Sequence, residues 1–138
     1  MSALCRLTVQ DLLLEEAVTV SAKASADELV QLAESSTATD FVVINTHGQY
    51  VGMVTSQDLK ATLVFREALP LLQVSELTGT DLGMVTPDDT LDTVLEKFAS
   101  TNVDALPVLV DGQLTRISGL VTRRRLMKRY QSALEEDA

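Results

Sequence analysis

Hydrophobic positions along this chain recur in two sets that follow the same order. In the later set, Leu91, Val94, Leu95, Phe98 and Ala99 fall at i, i+3, i+4, i+7 and i+8. That spacing predicts an amphipathic helix with its apolar stripe on a core. Thr90 precedes the run and predicts its N-cap, with Asp92 and Thr93 in the first turn. Met84-Val85-Thr86 reads as a short strand closed by Pro87, and Leu106 to Val110 as a strand apolar enough to be buried on both faces. Asp111-Gly112 predicts a turn, Ile117 to Val121 a returning strand, and Leu126, Tyr130 and Leu134 a closing helix. The earlier set repeats the order. Val18 to Val20 is the strand, Ser25 caps a helix carrying Leu29, Val30 and Ala33, and Phe41 to Ile44 and Tyr50 to Val54 are strands around a His47-Gly48 turn. Leu59 to Phe65 then lies in the closing helix, and Pro70 in the connection.

The two sets are copies. Leu7, Val9 and Leu12 are matched 65 residues later by Leu72, Val74 and Leu77. Val20, Asp27, Ser35 and Val43 are matched by Val85, Asp92, Ser100 and Val108. At Gly52 and Gly119 the offset is 67, so the later copy carries two extra residues between its strands. A repeat that stays in phase over most of a 138-residue chain marks two copies of one unit, each too small to bury enough surface alone. The expected fold is α+β, with repeats at 7–65 and 72–134 joined by a linker at 66–71.

Composition narrows the chemistry. Hydrophobic residues make up 46% with no tryptophan, so the core is aliphatic. No apolar stretch approaches the about 20 residues of a membrane helix, and the N-terminus lacks a signal-peptide profile, which predicts a soluble chain. The formal charge of −9 argues against general nucleic-acid binding. Arg123, Arg124, Arg125, Lys128 and Arg129 are nevertheless five of the 11 basic residues, and they gather in one short stretch. Cys5 is the one cysteine and excludes an internal disulfide, in keeping with a reducing compartment. The one histidine, His47, sits beside a turn glycine, so neither a Ser/His/Asp triad nor a histidine metal site can be assembled.

The pieces Val-Thr-Val-Ser (18–21), Met-Val-Thr-Pro-Asp-Asp-Thr-Leu (84–91) and Leu-Pro-Val (106–108) resemble the cystathionine-β-synthase (CBS) domain. So do Gly-Met-Val-Thr-x-x-Asp (52–58) and Gly-Leu-Val-Thr (119–122). A tandem pair of such domains is a Bateman module, and the resemblance spans about residues 7 to 132. It implies two pseudo-symmetric β-α-β-β-α repeats, clefts for adenine nucleotides or related adenosyl ligands, and no catalysis. Residues 59–77, with Phe65-Arg-Glu-Ala-Leu-Pro-Leu-Leu72, and the ending 120–134 resemble the cytoplasmic CBS pair of bacterial chloride channels and transporters. That narrower resemblance implies a cytoplasmic regulatory and dimerising piece of a longer membrane protein, with Met1 not its native start.

In this family a cleft joins the Gly-h-h-Thr-x-x-Asp end of one copy to first-strand and pre-strand residues of the other. The carboxylate accepts from ribose hydroxyls and the threonine faces phosphate. The resemblance therefore implies one cleft with Thr55 and Asp58, together with Thr78, Asp81, Gly83, Val103, Asp104 and Ala105. Asp81 and Asp104 would repel phosphates there, which favours a ligand of low negative charge. The second cleft joins Thr122 and Arg125 to Leu13, Val18, Ala38, Thr39 and Asp40. Arg125 stands where the ribose-binding carboxylate belongs, and an arginine has five donors and no acceptor. The ligand itself is left unnamed, and no metal is expected.

Each motif has a plainer reading beside the functional one. Thr-x-x-Asp at a helix start is also a capping box, which selects the same residues without any ligand. The arginine run reads as a solvated face or as a site for an anion or acidic partner, since cations at a helix N-terminus oppose its dipole. Leu63, Val64, Phe65, Leu126, Met127, Tyr130 and Leu134 exceed what one pair of closing helices can cover, which predicts a homodimer. Alternatives to a transport-protein module are a regulatory CBS pair of a soluble enzyme and a purely structural dimerisation unit with empty clefts.

Overall fold

The first segment of each repeat folds onto the helix of the other repeat. In the computed structural model, which describes residues 6–79, 83–110 and 114–137, the chain divides into two compact units. One takes residues 18–82, and the other joins the chain up to Ala17 to Gly83 onward. The compact units therefore cut the chain differently from the repeats at 7–65 and 72–134. Leu7 and Val9 hydrogen-bond the start of the later helix, with the Leu91 N–H donating to the Leu7 carbonyl and the Val9 N–H to that of Asp89, both at 3.0 Å. Leu72 and Val74 do the same for the earlier helix, where the Ala26 N–H donates to the Leu72 carbonyl at 2.7 Å and the Val74 N–H to that of Ala24 at 2.8 Å. Helix N-termini leave N–H groups without intrahelical partners, and these borrowed segments supply partners.

The unit of residues 18–82 holds a three-stranded sheet in the order β1 (Thr19–Ser21), β2 (Phe41–Ile44), β3 (Tyr50–Val54). β1 runs parallel to β2, as a helical crossover permits, and β2 is antiparallel to β3. Helix α1 (Ala26–Ser35) is capped by Ser25, whose hydroxyl accepts from the Glu28 N–H at 3.1 Å. Helix α2 (Ser56–Leu63), a 3-10 turn (Arg66–Leu71) that contains Pro70, and the single turn α3 (Val74–Leu77) complete the unit. Leu29, Phe41, Val43, Val54 and Val74 are fully buried in one hydrophobic cluster. Truncating Leu29 or Phe41 to alanine costs about 2–5 kcal/mol. At the hairpin, Gly48 adopts φ +74°, and the Asn45 carboxamide oxygen accepts from the His47 and Gln49 N–H groups. His47 is thus a turn residue.

The other unit carries α4 (Leu91–Ser100), the antiparallel pair β4 (Ala105–Leu109) and β5 (Ile117–Thr122), and α5 (Arg123–Asp137). Thr90 caps α4, accepting from the Thr93 N–H at 3.2 Å, and all of β4 is buried. Val9, Val85, Leu91, Val94, Phe98 and Leu126 share its core. The Asp111-Gly112 turn lies outside the described residues.

Two expectations need correction here. The strand expected at 84–86 is reduced to a single parallel bridge, Val85 to Val108. In the first copy the corresponding strand is extended by bonds from the Val42 N–H to Val18 and the Ala22 N–H to Ile44. Their counterparts 65 residues on are Pro107 and Pro87, which have no N–H to donate. Leu126, expected on an outward face, is 1% exposed, because it lies seven residues before Ala133 on the α5 stripe that faces the core. Val64, Phe65 and Leu134 do stand exposed, at 75%, 68% and 50%.

Candidate ligand sites

Each unit presents one corner where a strand turns into a helix, and both corners begin with a glycine pressed against a borrowed segment. A Cβ on Gly52 (φ +152°) would lie 2.3 Å from the Thr78 methyl and 2.9 Å from the Gly79 carbonyl. On Gly119 (φ +159°) it would lie 2.9 Å from the Glu15 carbonyl and 3.0 Å from the Leu14 Cβ. Only glycine admits so close an approach with that backbone.

At the first corner Thr55 and Asp58 satisfy one another. The Asp58 N–H donates to Thr55 Oγ1 at 3.2 Å, and Asp58 Oδ2 accepts from both the Thr55 N–H and its hydroxyl at 3.0 Å. This is a complete capping box. It engages one carboxylate oxygen only. Among the described residues Oδ1 has no hydrogen bond, and a carboxylate offers about four acceptor positions. Capping and ribose recognition are therefore compatible at this half-buried side chain.

The second corner keeps half of that arrangement. The Arg125 N–H donates to Thr122 Oγ1 at 3.2 Å, but among the described residues no carboxylate returns a bond to the Thr122 N–H. The Arg125 guanidinium instead donates from Nε to Glu15 Oε1 at 3.3 Å. Arg123 turns inward. Its Nη2 donates to the Phe98 carbonyl at 3.1 Å and the Val103 carbonyl at 3.0 Å, with the guanidinium 5.6 Å from the Phe98 ring. A cation so placed caps the Phe98 carbonyl in the last turn of α4, where the dipole favours it. The second corner is cationic and holds no ribose acceptor at position 125.

The CBS domain family model matches residues 9–64 and 74–132. The chain belongs to the CBS domain family. Both of its copies are matched, so it is a tandem CBS pair, a Bateman module. Two solved CBS structures share the fold. The CBS domain pair of protein MJ0100, in complex with 5′-methylthioadenosine and S-adenosyl-L-methionine, is 22% identical with a TM-score of 0.75, covering 91% of this chain and 96% of that one. CBSX2 in complex with AMP is 23% identical with a TM-score of 0.73, covering 91% and 97%. A curated relative, homoserine O-acetyltransferase of Methanohalobium evestigatum, is 26% identical over 114 residues, 83% of this chain. The chain spans only 22% of that relative's length.

Within this CBS pair, the structure brings Thr55, Asp58 and Thr78 into one unit together with Val18, Ala38, Thr39 and Asp40. The Val18 carbonyl accepts from the Val42 N–H, and the Thr39 hydroxyl donates to the buried Asp40 carboxylate at 2.9 Å. Leu13, Gly83, Val103, Asp104 and Ala105 belong to the other unit with Thr122 and Arg125. Ala105 pairs with Thr122 across β4 and β5, and the Asp104 carbonyl accepts from the Arg123 N–H at 2.8 Å. Asp81 lies outside the described residues. Sequence reasoning missed the inward course of Arg123, whose signal was its place one residue after the β5 threonine while Phe98 lies in the last turn of a helix. No cluster of potential metal ligands occurs among the described residues, and no described helix is long and apolar enough to cross a membrane.

Proposed function

We propose that this CBS pair is a non-catalytic regulatory module that takes an adenosyl ligand at the Thr55–Asp58 corner. The observation that carries the reading is Oδ1 of Asp58, which has no hydrogen bond among the described residues beside a completed capping box, set against an arginine at the equivalent place in the other unit. A carboxylate held by its own cap is oriented before the ligand arrives, so little freedom is lost when ribose hydroxyls bind. The adenosyl ligands held by the MJ0100 pair and by CBSX2 support the ligand class. Regulation then follows from differential affinity, since a ligand that favours one arrangement of the module biases whatever is attached to it. The exposed Val64, Phe65 and Leu134 support self-association into a homodimer.

For the attached protein, residues 59–77 and 120–134 favour a chloride channel or transporter by resemblance, which puts the module on the cytoplasmic side of a membrane. The homoserine O-acetyltransferase match favours a second reading, a regulatory segment of a soluble enzyme chain. Reading the gene beyond both ends separates them, because repeated apolar segments of about 20 residues accompany only the first.

Thermal unfolding with AMP, ATP and S-adenosylmethionine tests the ligand. A ligand at 100 times its dissociation constant adds roughly 2.7 kcal/mol, a rise of several degrees. In Asp58→Ala the rise over that variant's own ligand-free midpoint disappears. No rise with any of the three, or a rise that survives Asp58→Ala, overturns the reading.

A further inference from the structure

Arg125, Lys128, Arg129 and Ser132 fall at i, i+3, i+4 and i+7 along α5 and so share one face. With Leu12 and Leu13 they line a cleft of about 300 Å3, the lower end of the range for small-molecule sites. Three cations meet there against one carboxylate, Asp11, whose Oδ2 already accepts from the Thr8 N–H at 2.9 Å. This happens in a chain of net charge −9. Neighbouring like charges on a helix repel, and those nearest its N-terminus also oppose its dipole. The pairing that offsets this is partial. Arg125 engages Glu15 at 3.3 Å and Arg129 engages Glu136 at 3.5 Å, each through one nitrogen, while Lys128 is exposed with no partner among the described residues. A guanidinium has five donors, so both arginines keep most of theirs for something else. Leu13, 72% exposed, adds an apolar wall.

We propose that this cleft binds a small molecule carrying a phosphate or diphosphate dianion on a short apolar body. The cations supply charge-assisted hydrogen bonds to the phosphate oxygens. Leu12 and Leu13 cover the apolar part, and the Ser132 hydroxyl adds a neutral donor. The site belongs to the unit that lacks Asp58, so it stands apart from the adenosyl reading.

Calorimetric titration of the full chain at low salt, with phenyl phosphate and with inorganic phosphate as probes, tests it. Phenyl phosphate is expected to saturate one site per chain and to bind more tightly than inorganic phosphate. Lys128→Gln should weaken it about tenfold, the effect of losing one hydrogen bond to a charged group. Leu13→Ser should weaken phenyl phosphate and leave inorganic phosphate unchanged, and Asp58→Ala should change neither. The absence of saturable heat up to about 10 mM phenyl phosphate, equal binding by the Lys128→Gln variant, or phenyl phosphate binding no tighter than inorganic phosphate would overturn the proposal.

Discussion

The Thr55–Asp58 corner and the Thr122–Arg125 corner have one backbone and two chemistries. Both follow a strand that ends beside a glycine, both place a threonine at the helix N-cap, and both lie against a segment borrowed from the other repeat. In the first, position N3 is a carboxylate that closes the cap through one oxygen and leaves the other without a hydrogen bond among the described residues. In the second it is an arginine that leaves the cap half made and turns to Glu15. Duplication thus preserves the turn, because glycine and threonine are needed to build it. The residue at N3 is free to change, because the turn survives without it.

The largest effect that would break this comparison falls on the shared feature. Gly52→Ala and Gly119→Ala should each cost about 3 kcal/mol, since a Cβ strains a positive-φ backbone and drives into its neighbour. Denaturant unfolding should also separate the two. At Gly52 the nearest atom is a side-chain methyl, so Thr78→Ser should recover part of the loss, whereas at Gly119 the nearest atom is a backbone oxygen and truncation nearby should recover nothing.

Next comes the cap itself. Asp58→Ala should cost about 1 kcal/mol without ligand, as it leaves the Thr55 N–H without its partner. Arg125→Ala should cost less than about 0.5 kcal/mol, because it removes only a partly exposed ion pair. In a Glu15→Gln background, which removes a carboxylate that would repel the new one, Arg125→Asp should gain about 0.5–1 kcal/mol by completing the second capping box. No gain in that background would mean that the two corners differ in backbone as well as in chemistry.

The smallest effect concerns acid. Burial raises the pKa of the Asp89 carboxyl, but hydrogen bonds from the Thr86 N–H (2.9 Å) and hydroxyl (3.0 Å), then Lys97 at 3.3 Å, outweigh it and hold the pKa below the ordinary value of 3.8. A carboxyl depressed in the folded state adds stability above its unfolded pKa, and that stability is lost as pH falls through the folded value. Asp89 and Lys97 have Ala24 and Leu32 as counterparts in the first copy, so this acid sensitivity belongs to one unit. Asp89→Asn should flatten the fall in melting temperature below about pH 4. An unchanged slope would contradict it.

Much of the fold was legible because it rests on local pattern. The helix of Leu91, Val94 and Phe98, the caps Ser25 and Thr90, and the wholly buried β4 are where period and capping chemistry put them. What escaped depended on partners distant in sequence. Leu7-x-Val9 and Leu72-x-Val74 were visible as a repeated motif, but nothing local shows that each serves the other repeat's helix. The shortening at Val85 was encoded in Pro87 and Pro107, yet it is readable only once the first copy's bonds are known. At the site, the Thr55–Asp58 box was legible as chemistry. The inward turn of Arg123 was not, because a run of three arginines gives no sign of which one finds the carbonyls of Phe98 and Val103.

The central claim is that the two corners differ as ligand sites. The direct measurement is calorimetric titration of AMP and S-adenosylmethionine into the wild-type chain, Asp58→Ala and Arg125→Ala. Binding of one or both ligands at about one site per chain, abolished in Asp58→Ala and retained in Arg125→Ala, is the predicted result. Binding that survives Asp58→Ala, or that is lost instead in Arg125→Ala, would contradict it.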